Sequence, residues 1–89
     1  MQETMWLDVD VDEGMFPTER TITLQTADRG AASLFAPADR VTAQRLPGRG
    51  RMEVSILDRN ERYALVDLPS DTIEGGSVVK VEKTALHKP

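Results

Sequence analysis

Apolar positions recur along this chain every second residue far more often than every third or fourth, the signature of half-buried strands rather than amphipathic helices. Met5, Leu7, Val9 and Val11 alternate with Trp6, Asp8 and Asp10, which predicts a first strand with one buried face. Ile22 and Leu24 alternate with Thr21, Thr23 and Gln25 in a second, β-branched strand. Ala27-Asp28-Arg29-Gly30 reads as a hairpin turn, with Gly30 free to adopt the left-handed conformation, and AASLFA returns as the third strand. RMEVSILD sets Met52, Val54 and Ile56 on one face of a fourth strand. A tight turn at Arg59-Asn60 leads into a fifth, RYALVDLP, and SVVKVEK is the last.

The joints carry turn chemistry. Pro37 suits the first position of a single helical turn, where its missing N–H costs nothing. VTAQRL is extended or helical, with extended the preferred reading, and Leu46-Pro47-Gly48-Arg49 fits a type II turn with glycine at the position requiring φ > 0. Asp71 and Glu74 have capping-box spacing and, closed by Gly75 and Gly76, predict one helical turn. Residues 84–89 read as a frayed tail. The sum is an all-β chain, one domain over 1–89: a small antiparallel barrel of five or six short strands with one or two single-turn helices in its loops. SH3-like and other small barrels share this arrangement of strands, a likeness of architecture.

Composition narrows the functional classes. The chain has 89 residues and no cysteine, which excludes disulfides and thiolate metal sites and suits a reducing compartment. The acidic N-terminal stretch has neither the basic nor the apolar region of a signal peptide. No apolar run approaches the roughly 18–20 residues needed to span a bilayer. A cytoplasmic protein without membrane contact is expected. The net charge of −4 argues against a dedicated binder of nucleic acid or anionic lipid. The charge is blocked, however: residues 1–19 carry six acids and no base, while residues 20–51 carry six arginines against Asp28 and Asp39. These blocks either form two patches or interleave across paired strands.

Candidate chemistry is sparse. Asp8, Asp10, Asp12 and Glu19 have the spacing of a helix–loop–helix calcium loop, but Glu13 occupies the sharp-turn position and Gly14 comes one residue late. Val9 and Val11 make this segment a strand, in which same-face carboxylates lie roughly 6–7 Å apart. A solvated strand face that discourages edge pairing is the better reading. His87, the single histidine, falls in the expected tail. There is no G-x-S-x-G elbow, and EGGSVVK lacks phosphate-loop spacing. Neither a cofactor nor catalysis is expected.

Two binding readings remain. The alternating set leaves Trp6, Phe35, Leu57, Tyr63, Leu65 and Val78 facing away from the core, and Met15-Phe16-Pro17 adds apolar residues in a loop. Either the loop plugs the barrel and Phe35 turns inward, or these residues form a surface for another protein or a second copy of the chain. Trp6, Phe16, Tyr63 and Leu65 are the candidate contacts. The alternative is a nucleic-acid surface built on Arg40, Arg45, Arg49 and Arg51 around PGRG, with Tyr63 or Trp6 as a stacking face.

Overall fold

The alternating segments become long antiparallel strands. The computed structural model describes residues 2–89. It contains β1 (Glu3–Glu13), β2 (Glu19–Gln25), β3 (Ala31–Pro37), β4 (Val41–Ala43), β5 (Gly48–Arg59), β6 (Tyr63–Asp67), β7 (Val78–Glu82) and β8 (Leu86–His87), with single 3₁₀ turns at Ala38–Arg40 and Lys83–Ala85. Six strands run in the order β3-β2-β1-β5-β6-β7, while β4 adds to β5 and β8 to β1. This antiparallel sheet curls into a half-barrel, the all-β class expected from the alternation.

One face of every long strand is buried. Leu7, Val9 and Val11 of β1 meet Met52, Val54 and Ile56 of β5 inside the curl, joined by Ile22, Leu34, Val66 and Val81, all at most 8% exposed. Fully burying each such side chain contributes about 1.5–3 kcal/mol. Small residues complete the buried face, with Ala32 and Ala36 on β3 and Ala64 on β6. At Gly50, which pairs with Val9 and Ala43, a Cβ would run into the Thr42 carbonyl oxygen and lie 2.9 Å from Val11 Cγ2.

Two turns of the same design hold the gap between the edge strands β3 and β7. Thr26 N–H donates to the Gly30 carbonyl at 2.8 Å, and the Thr26 hydroxyl accepts from Arg29 N–H at 2.9 Å. Thr72 N–H likewise donates to the Gly76 carbonyl at 2.9 Å, and its hydroxyl accepts from Gly75 N–H at 3.1 Å. Both turns close on a glycine in the left-handed region, Gly30 at φ 76° and Gly76 at φ 77°. Across the gap, Ala27 N–H donates to the Lys80 carbonyl at 2.8 Å and Ile73 N–H to the Ser33 carbonyl at 2.7 Å. Each edge thus has part of its backbone occupied, which limits its use as a template for another strand.

Three local expectations are corrected. Residues 71–76 form no helical turn: the Glu74 carboxylate accepts from Ser33 N–H at 3.1 Å instead of capping its own segment, and Thr72 bridges to Leu34. Leu46–Gly48 is not a type II turn. The Leu46–Pro47 bond is cis, and Gly48 begins β5 without positive φ. Glycine is needed there for close approach, since a Cβ would lie 2.8 Å from the Arg45 carbonyl oxygen. Residues 84–89 are not simply frayed, because Leu86 and His87 pair with Leu7 and Trp6. The turn after Pro37 and the extended start of VTAQRL are found as expected.

Gly50→Ala should therefore cost about 1–3 kcal/mol through overpacking against backbone that cannot yield. For a domain of this size each kcal/mol lowers the melting temperature by roughly 4–8 °C. An unchanged melting temperature by calorimetry would mean that β4 is not seated on β5 as described.

Candidate functional site

The outer face of the sheet divides into a polar half and an apolar half. On the β1–β5 pair, Asp8 stands opposite Arg51 and Asp10 opposite Arg49. Both couples form ion pairs, Arg51 Nε to Asp8 Oδ1 at 3.5 Å and Arg49 Nη1 to Asp10 Oδ1 at 3.3 Å. Arg40 reaches Glu53 at 3.4 Å. The acidic and basic blocks of the sequence thus interleave and cancel. Exposed pairs of this kind add little stability each, but they consume the charges on which a phosphate or calcium site would draw. Of the arginines around PGRG, Arg45 alone has no carboxylate within ion-pair distance among the described residues. The carboxylates of the calcium-like spacing are dispersed. Asp12 Oδ1 accepts from Glu13 N–H at 2.7 Å and Glu19 Oε1 from Met15 N–H at 3.0 Å. Among the described residues no three metal-ligating side chains converge.

The four apolar candidates fall in three places. Trp6 lies half-buried on the polar half, its cross-strand neighbours being Glu53 and His87. His87 Nε2 is 2.9 Å from Asp8 Oδ2, so the histidine clasps β8 onto β1 beside the Asp8–Arg51 pair. Nothing in the isolated TALHKP segment signals this contact.

Tyr63 and Leu65 share the outer face of β6 at the far end of β5. Tyr63 is half-buried beneath cations, with Lys80 Nζ 4.5 Å and Arg62 Cζ 5.3 Å from its ring centre. Leu65 is 40% exposed, with Leu57 and Val78 exposed on the flanking strands. A bulge in β5 shapes this region. The register shifts between Ile56 and Asp58, and Asp58 becomes the partner of the outward Leu65. Strict alternation from the buried Ile56 would have sent Asp58 inward; the extra residue puts it outside.

Phe16 sits beyond the other end of β5, in the β1–β2 connection. Phe16-Pro17-Thr18-Glu19 is a turn closed by Glu19 N–H donating to the Phe16 carbonyl at 3.1 Å, with proline in the position that fixes φ. Arg20 Nη1 donates to the Pro17 carbonyl at 3.0 Å, and at Gly14 an added Cβ would lie 2.7 Å from the Glu19 carbonyl oxygen. This well-braced loop nevertheless leaves Met15 80% and Phe16 62% exposed. It does not plug the barrel, nor does Phe35, 43% exposed, turn inward. Ile73, which belongs to none of the alternating segments, is 67% exposed in the 71–76 turn.

No protein-family model, curated protein or solved structure matches this chain. Among the described residues no helix is long and apolar enough to cross a membrane.

The clasp generates a testable expectation. Asp8→Ala should leave the fold intact but speed amide hydrogen exchange at Leu86 and His87 about fivefold, equivalent to the ~1 kcal/mol of a partly exposed charged contact. Unchanged exchange at both amides would show that β8 is held by its backbone bonds alone.

Proposed function

We propose that this chain is a non-catalytic protein-interaction module that docks a partner protein through the Met15–Phe16 loop, within the reducing, cytoplasmic setting that a cysteine-free chain suits. We place it beside SH3-like small barrels in architecture only. The observation that carries the reading is a pair of large apolar side chains held in solvent by a loop whose backbone is already hydrogen-bonded. A mobile loop could fold its apolar residues back onto the protein, whereas a braced one keeps them presented. Bracing also removes most of the ordering entropy that docking would otherwise cost. Binding energy concentrates in a few side chains that fill well-packed, desolvated pockets, and complete burial of a side chain of this size is worth about 1.5–3 kcal/mol.

The arginine reading is the weaker one, because Arg40, Arg49 and Arg51 already face carboxylates. Phosphate contacts there would have to displace those partners, and the net charge of −4 opposes approach.

Recovery of proteins from the source lysate on the tagged chain, with and without nuclease, tests both. Phe16→Asp should abolish specific recovery while circular dichroism and melting stay unchanged, and nuclease should have no effect. If recovery instead collapses with nuclease and falls steeply with salt, the arginines carry the function. If Phe16→Asp recovers the same proteins, the loop is not the docking element.

A further inference from the structure

On the outer face of β5–β6–β7, Asp58, Leu65 and Lys80 stand in one line across three strands, since Asp58 pairs with Leu65 and Leu65 pairs with Lys80. Neighbouring strands are about 4.8 Å apart, so an acid and a base flank an exposed leucine at equal distances on either side. We propose that this face is a self-association surface whose occupant is a second copy of the same chain, related by a two-fold axis running along β6 through Leu65. This goes beyond the Phe16 reading and uses a separate surface at the other end of β5.

The pattern selects the occupant. A two-fold axis in the plane of the face brings the same patch onto itself, so residue i of one copy meets residue j of the other and j meets i. With the axis along β6, Leu65 lies on its counterpart, Asp58 of each copy meets Lys80 of the other, and Val78 and Leu57 complete the apolar centre. An axis across the strands would set Asp58 on Asp58 and Lys80 on Lys80, and is disfavoured by repulsion. Lys80 exchanges its contact with the Tyr63 ring of its own copy, 4.5 Å from Nζ, for Asp58 of the other copy. Asp67, two residues along β6, is drawn aside by the Ser77 hydroxyl, which donates to it at 2.6 Å. Face-packed sheets also cross at about 30°, so the two β6 strands diverge away from Leu65 and the two Asp67 positions separate. Arg62 and Glu82 are neutralised within each copy at 3.8 Å. The β5 bulge is integral to this arrangement, because it delivers Asp58 to the outer face.

Sedimentation of the full chain, with its charge variants, is the test. The wild type should dimerise reversibly. Asp58→Lys sets lysine against lysine, and Lys80→Asp sets aspartate against aspartate, so each should weaken association at least about tenfold, or ~1.4 kcal/mol. The two variants mixed should form a heterodimer, and the double variant Asp58→Lys/Lys80→Asp should regain self-association, results that misfolding cannot imitate. A wild type that stays monomeric at millimolar concentration overturns the proposal, as does a dimer whose singles, mixture and double variant all associate alike. Leu65→Asp should disrupt the dimer and leave recovery through Phe16 intact. The two readings therefore fail separately.

Discussion

The antiparallel pairing of β1 with β5 is the constraint on which the rest of the molecule depends. It runs from Glu3↔Ile56 to Val11↔Gly48 and places the two longest strands side by side at the centre of the sheet. Their inward residues form the middle of the core, and β2 and β6 attach to their outer edges. Around the middle of this pairing β4 adds to β5 and β8 to β1, so the sheet branches there, and Gly50 lets three chains approach where any side chain would meet backbone. A one-residue slip would send Leu7, Val9 and Val11 to solvent, and that penalty fixes the register.

The same register organises the surface. Because Asp8 and Asp10 must face Arg51 and Arg49 whenever the core faces match, the acidic N-terminal block and the arginine segment neutralise one another. What the polar half loses in available charge leaves the ends of β5 as the distinctive places. One end carries the braced Phe16 loop, and the other the Leu65 face with its flanking acid and base. In both, the backbone is satisfied by internal hydrogen bonds, so the apolar side chains are presented by a stiff support.

The six main strands, the inward set, the β2–β3 hairpin and the outward direction of Leu57, Leu65 and Val78 were legible in the sequence, because each follows from local alternation or from a glycine that a turn requires. The outward apolar residues were also recognisable as a group, though not their division into Trp6, Phe16 and Tyr63–Leu65 regions. That division depends on which end of a strand faces which neighbour. Residues 71–76 illustrate the limit. The Asp71–Glu74 spacing is a sound helix-start signal, yet the Glu74 carboxylate finds the Ser33 N–H on an edge strand 41 positions away in sequence. Local propensity lost to a long-range partner.

Alternation of Met5, Leu7, Val9 and Val11, and of Met52, Val54 and Ile56, determined that this chain buries one face of each strand and must close its sheet around a small core. That much is local, since a strand's two faces are set by a period of two whatever lies beside it. Tertiary structure decided which strand lies beside which, and with that the pairing of each aspartate with its arginine, the docking of His87 on Asp8, and the bulge that turns Asp58 outward. Those outcomes depend on contacts between residues far apart in the chain, where the free energy of a pairing is shared between both partners and neither segment alone encodes it.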